Sequence, residues 1–295
     1  MPIETNCKLY CSRLELRAPG CWLGDVFPAM VRVVPPSITT SQLNKLGERL
    51  RKSEVPTSED LELLQAFREE FNGAMQDAYT RLKAVAGLDP STRLKTHNSL
   101  IEKMKRDRTA LSRMQDIGGL RIVKSMDLNE QDGLVGTIMG AFTDSLLHDQ
   151  RKLPNHGYRA AHVHVELDGF RLEIQVRTEL QDVWAQTNEK LGDLFGRAPF
   201  RYGAELVDPG LRSIRDLMAR LSSDIAQHEV ALTAEKRRAA ELLGAFPGNS
   251  QISLQIRELN DLFRQKRDIL VDLLSHAPEL ARARKAKEST EEAQK

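Results

Sequence analysis

The sequence predicts a mixed α/β (α+β) fold: a β-sheet flanked by helices and followed by a helical hairpin. Three patterns carry this expectation. Apolar residues alternate with period two on both sides of Asp168-Gly169, strand-like and helix-like segments interleave before that hairpin, and two long segments with helical spacing follow it.

In chain order, residues 1–38 read as a weakly structured extension. Its three cysteines, Cys7, Cys11 and Cys21, are odd in number, and no further ligand cluster accompanies them. A core domain over residues 39–200 begins with helical spacing from Ser41 to about Val85. Val55-Pro56-Thr57-Ser58 splits that stretch, and Ser58-Glu59-Asp60 places acids in a first turn, where the helix dipole favours them. Asp89-Pro90-Ser91-Thr92 marks a break before a helix from about Ser99 to Met114. A strand is predicted over Gly119–Val123 and a helix over Glu130–Leu147.

The hairpin is GYRAAHVHVELDGFRLEIQVRT from residue 157. Ala161, Val163, Val165 and Leu167 alternate with His162, His164 and Glu166. Beyond the turn, Phe170, Leu172, Ile174 and Val176 alternate with Arg171, Glu173, Gln175 and Arg177. A two-residue turn of type I′ at Asp-Gly pairs Leu167 with Phe170. Counting outward, His164 faces Glu173 and His162 faces Gln175 on the polar side.

Trp184 reads as core. Residues 201–280 form a helical extension, with Leu211, Ile214, Met218, Leu221 and Ile225 at helical spacing in one segment and Ile256, Leu259, Phe263 and Leu270 in the next. This hairpin either lies on the core or offers a surface for homo-oligomer formation. Residues 281–295, ARARKAKESTEEAQK, hold no apolar residue larger than Ala and are expected to be a disordered tail.

Composition limits the function classes. The 295 residues are 40% hydrophobic, enough for one sizeable core, and 43 basic against 42 acidic residues give a net charge of +1. Such a chain has no global field to recruit polyanions, so any nucleotide or nucleic-acid site must be a local patch. No membrane-length apolar run or secretory leader pattern is present, and a cytoplasmic protein with no membrane partner is expected.

One such patch is RLKTHNSLIEKMKRDR, residues 93–108, with six bases and two acids. On a helix, Ser99, Lys103 and Arg106 share a stripe next to an apolar one, an arrangement that suits phosphate groups or simply a solvated basic face. DIGGLRIV follows, with Asp116 at the edge of the strand and Arg121 on it. A carboxylate beside cations suits magnesium, or serves as a helix cap or salt-bridge partner. Glu173, among Arg171, Gln175 and Arg177, is either part of a wet row of cross-strand ion pairs or a proton acceptor and metal ligand. Tyr158, at the strand mouth, either stacks on a base or fills an apolar gap.

Together, Arg93, Lys95, Ser99 and Lys103 in R-x-K-x3-S-x3-K, then DIGGLRIV, GYRAAH and EIQVRT, resemble the synthetase domain of the RelA/SpoT family over residues 93–190. The resemblance implies a nucleotidyltransferase-type sheet. It also implies transfer of the β,γ-pyrophosphate of ATP to the ribose 3′-hydroxyl of GDP or GTP, giving ppGpp or pppGpp. By matching positions, Arg93, Lys95, Ser99, Lys103, Arg106 and Arg121 would bind ATP. Asp116 and Glu173 would hold Mg2+, with Glu173 activating the 3′-hydroxyl, and Tyr158, His162, Gln175 and Arg177 would surround the acceptor.

The chain departs from the family pattern on the acceptor side. Asn188-Glu189 and Asp193-Leu194 stand where many members have Glu-His and Tyr-Lys, and Ala160 stands where serine is common. Two alternatives therefore accompany alarmone synthesis. One is toxin-type pyrophosphate transfer to the tRNA 3′ end or to another purine nucleotide, and the other is a catalytically silent nucleotide-sensing module.

Overall fold

The computed structural model describes residues 38–114 and 116–293. Except for Ile38, the expected N-terminal extension, with Cys7, Cys11 and Cys21, lies outside the described residues. Helix α1 spans Thr40–Lys52 and starts with a capping box between Thr39 and Gln42. Helix α2, Ser58–Ala86, is capped by the Thr57 side chain and ends at Gly87, whose φ of 59° is left-handed. Arg49 and Asp60 join the two helices at 2.7 Å.

The next stretch departs from expectation in two places. Ser91–Leu94 forms a short strand, β1, instead of a plain break. The expected helix to Met114 is only His97–Asp107, α3, because Arg108 turns left-handed at φ 50° and a single 3-10 turn follows over Leu111–Arg113. The spacing of Leu100, Met104, Leu111 and Met114 misleads here, since the turn returns the last two to the same core and all four are buried. Strand β2 then runs Gly118–Lys124.

Helix α4, Leu128–Ala141, opens with an Asp127/Glu130 capping box. It stops well before Leu147, and Ser145–Asp149 is instead an edge strand, β3. Ile138, Phe142 and Leu146 recur every four residues and imitate a helical stripe, yet Leu146 is 65% exposed. Strands β4, Ala161–Leu167, and β5, Phe170–Thr178, form the expected hairpin. Asp168 and Gly169 both have positive φ, 51° and 83°, as a type I′ turn requires. The register pairs Leu167 with Phe170, His164 with Glu173 and His162 with Gln175, as expected.

The sheet order is β1-β2-β5-β4-β3. Only the β2–β5 pair is parallel. This is the expected mixed sheet flanked by helices. One face, with Leu120, Ile122, Val163, Leu172, Ile174 and Val176, packs in the main core with α1–α4. Because side chains alternate across a strand, the other face receives Arg121, His162, His164, Glu173, Gln175 and Arg177.

Beyond the sheet come α5, Glu179–Phe195, a six-residue α6, Arg197–Tyr202, and the long helices α7, Pro209–Ala245, and α8, Ser250–Ala293. Trp184, Leu191, Phe200, Met218, Ile225 and Leu274 share a second core. Trp184 is 2% exposed, as expected of a core residue, and its indole donates to Met218 O at 2.8 Å. The two cores are bridged by buried polar groups. Glu229 on α7 accepts hydrogen bonds from Thr178 Oγ1 and from Gln181 Nε2, and Gln181 meets Gln131 Nε2 on α4 at 2.9 Å.

Where a disordered tail was expected from residue 281, α8 continues to Ala293. Ala, Lys, Glu and Arg are strong helix formers, and Ala277 and Ala281 are fully buried, so small residues here are an interface rather than a sign of disorder. Among the described residues, no helix is long and apolar enough to cross a membrane.

Candidate active site

The polar face of the sheet forms the floor of a cavity of about 670 Å3, walled by α3 on one side and by α5 and α6 on the other. It gathers Arg93, Lys95, Ser99, Lys103, Arg106, Asp116, Tyr158, His162, Glu173, Gln175 and Arg177. Of the residues predicted from sequence, only Arg121 is not among its lining. It borders an adjoining niche with Arg93, Lys95, Asp116, Glu173 and Gln175.

Two carboxylates dominate the floor. Asp116 lies in the turn before β2, and its Oδ2 accepts from Lys95 Nζ at 2.5 Å and Lys103 Nζ at 2.7 Å. Lys95 also donates to the Asp116 carbonyl at 3.0 Å. Burial pushes this carboxyl up, but the two ammonium groups outweigh it and hold the pKa below the usual carboxylate range. Its other oxygen, Oδ1, is buried and has no partner among the described residues.

Glu173 sits mid-strand on β5. Gly119, its neighbour in β2, permits that pairing, because a Cβ there would lie 2.4 Å from the Glu173 carbonyl oxygen. Glu173 Oε1 accepts from His162 Nδ1 at 2.5 Å and lies 3.5 Å from His164 Nε2, while Oε2 accepts from Gln175 Nε2 at 2.8 Å. Burial again raises the pKa, and the histidine hydrogen bonds overcome it, so the group stays ionised well below the usual range.

A chain of hydrogen bonds supports this carboxylate. Arg177, 3% exposed, is held by Asp182 Oδ1 and Gln175 Oε1, both at 2.8 Å, and donates to the Tyr158 hydroxyl at 2.7 Å. The hydroxyl lies 2.8 Å from His162 Nε2. All four links are satisfied if Tyr158 donates to Nε2 and His162 carries its proton on Nδ1 toward Glu173. The Arg177 guanidinium lies 5.0 Å from the centre of the Tyr158 ring.

The cations divide by element. Arg93 stands on β1, and Lys95 immediately follows it. Ser99, Lys103 and Arg106 share α3, whose Thr96 cap fixes the first turn. Arg121 on β2 is 3.8 Å from Asp182 Oδ1.

Sequence reasoning missed α6. Arg197, Arg201 and Tyr202 line the cavity, and Tyr202 lies under the Arg106 guanidinium at 3.9 Å. Arg201 pairs with Glu189, which is also 3.5 Å from Arg93. Asn188, the residue before Glu189, donates to Phe200 O at 2.9 Å, and Ala160 is fully buried. Asn188 and Glu189, two of the positions that depart from the family pattern, thus tie α6 to α5 in the cavity wall. Asp182, the anchor of Arg177, was also missed, although the T-x-x-Q capping signal at Thr178 and Gln181 places it in a first helical turn.

Residues 92–191 match the model of the region found in RelA / SpoT proteins. Uncharacterized proteins of Mycobacterium tuberculosis and Mycobacterium bovis are 35% identical over 173 residues, which is 56% of this chain. The chain spans 61% of the length of those curated relatives. Small alarmone synthetase 1 from Bacillus subtilis, bound to its product pppGpp, aligns with TM-score 0.49 and 20% identity over 61% of this chain and 99% of that one. A GTP pyrophosphokinase family protein from Streptococcus pneumoniae aligns with TM-score 0.47 and 19% identity over 63% and 98%. Both carboxylates and every cation of the predicted site fall between positions 93 and 177, inside the stretch that matches this model.

Proposed function

We propose that the protein is an alarmone-synthetase-like pyrophosphotransferase that moves the β,γ-pyrophosphate of ATP to the 3′-hydroxyl of GDP or GTP. The observation that carries this reading is one cavity, lined largely by residues of the stretch that matches the RelA / SpoT model, holding two ionised carboxylates amid the lysines and arginines that line it. Phosphoryl-type transfer asks little covalent work of a protein, but it requires cations to spread charge over the migrating group.

In this reading Arg93, Lys95, Ser99, Lys103, Arg106 and Arg121 bind the ATP phosphates. Glu173 takes the proton of the acceptor hydroxyl, its charge kept available by His162 and Gln175, and Tyr158 and Arg177 hold the acceptor's base end. The residues also fit a magnesium ion. Asp116 Oδ1, buried without a partner among the described residues, is a hard oxygen donor of the type Mg2+ prefers, and Glu173 is the second. When bound, the ion would neutralise charge on the transferring phosphates.

The test is label transfer from [β-32P]ATP with magnesium and a panel of GDP, GTP, adenine nucleotides and deacylated tRNA. Label should move to GDP or GTP, and Glu173→Gln should stop it while ATP binding persists. Labelling of tRNA alone would replace the acceptor and keep the chemistry. ATP binding with no transfer to any acceptor would refute the enzyme reading.

A further inference from the structure

His164 has no task in the transfer reaction, yet the fold aims it at the base. Period two puts His162 and His164 on one face of β4, and the hairpin register sets Glu173 opposite His164 and diagonal to His162. One ligand atom from each of the three lies within 4.8 Å of the other two. We propose that His162, His164 and Glu173 form a binding site for a divalent transition-metal ion of the zinc type, and that its occupation inhibits the enzyme by capturing Glu173. The inhibitory half rests on the function proposed above, whereas the metal site does not.

Donor chemistry separates this site from the magnesium one. Two imidazoles and one carboxylate are a borderline-soft set that favours Zn2+ or Co2+, whereas Mg2+ selects oxygens and water. Zn–N and Zn–O bonds of about 2.0–2.1 Å in a tetrahedron leave donor atoms about 3.3 Å apart. Here Glu173 Oε1 is 2.5 Å from His162 Nδ1 and 3.5 Å from His164 Nε2, so side-chain shifts below about 1 Å suffice.

The supporting residues fit as well. On metal binding the His162 proton moves from Nδ1 to Nε2, where the Tyr158 hydroxyl 2.8 Å away accepts it in a hydrogen bond. Gln175 holds the second Glu173 oxygen at 2.8 Å. The His148 ring from β3 lies parallel to that of His164, with planes 9° apart and ring centres 6.3 Å apart. All three ligands line the main cavity, which provides the entry path and leaves a fourth coordination position open to water or to a substrate phosphate.

The experiment uses untagged full-length protein in which Cys7, Cys11 and Cys21 are replaced by Ser, so that thiolates cannot contribute, titrated with Co2+ and followed by its visible absorption. One Co2+ should bind per chain, Zn2+ should displace it, and millimolar Mg2+ should not. His164→Asn should weaken binding by at least about tenfold, and Tyr158→Phe, acting through His162, by about tenfold. In transfer assays at fixed Mg2+, Zn2+ should inhibit the parent, and the half-inhibitory concentration of His164→Asn, normalised to its own zinc-free rate, should rise by the same factor as its Kd.

Absence of cobalt binding, or binding indifferent to both His164→Asn and His162→Asn, overturns the site. Cobalt binding by a protein that transfers pyrophosphate to no acceptor supports the site and overturns its inhibitory role together with the transfer reading.

Discussion

Asp116→Asn isolates the dual role of the Asp116 carboxylate, which ties down two lysines in the free protein and offers its second oxygen to a metal. The amide keeps the shape and removes the charge. Lys95 and Lys103, with side chains 23% and 26% exposed, then face each other without the anion they share at 2.5 and 2.7 Å. An exposed ion pair contributes about 0–1 kcal/mol, and breaking a buried one costs about 3–5. At this intermediate burial a loss of about 2 kcal/mol is expected, lowering Tm by roughly 3 °C for a chain of 295 residues.

The pH dependence has a definite sign. The folded-state pKa of Asp116 is lowered, so its stabilisation is present above the ordinary carboxylate value of about 4 and is lost as pH falls through the lower folded value. The Tm gap between parent and variant should therefore be full at pH 7, still full at pH 5, and close only below about pH 4. Transfer activity with magnesium should fall by about 10²–10³-fold. Meanwhile ATP measured calorimetrically in EDTA should bind about two- to tenfold tighter, because the lysines no longer have a competing anion. Equal melting temperatures together with weaker magnesium-free ATP binding would refute the claim that Asp116 holds these lysines.

Gly119→Ala should abolish transfer and cost several °C of Tm, since the new Cβ would sit 2.4 Å from Glu173 O and must push β2 off β5; amide exchange along β5 would report the loosening. Glu229 is pushed up by burial, so stability is fullest when it is protonated and declines as pH rises through its folded pKa. Glu229→Gln should accordingly melt above the parent at pH 8, with the advantage shrinking toward pH 5. Glu189→Gln releases Arg93 and Arg201 into the cavity. Steady-state kinetics should show a lower KM for ATP, with Tm changed by less than about 2 °C because the pair is partly exposed.

The legible parts of this protein were those specified within about ten residues of themselves. Asp168-Gly169 and the alternation around it determined a turn type, hence a register, hence the opposition of Glu173 and His164, and the structure has all three. The edge strands were not legible for the complementary reason. Ser91, Thr92 and Arg93 are polar and exposed, and Ser145–Asp149 continues a false helical stripe, because an edge strand takes its order from the neighbour it pairs with and not from a pattern of its own.

The same divide runs through the candidate site. Asp116 and Glu173 could be found because each stands in a short motif, whereas the partners that set their properties come from far along the chain. His148 is brought beside His162 and His164 by β3, and Arg201 reaches Glu189 only because α6 folds back from Gly196. Local motifs thus identify which groups could react, and pairing at a distance decides how those groups are charged and held. The altered Asn188-Glu189 positions illustrate the consequence. Read as sequence they are an altered acceptor motif, and in the fold Asn188 bonds the α6 backbone and Glu189 bonds two cavity arginines, so these residues shape a wall of the cavity.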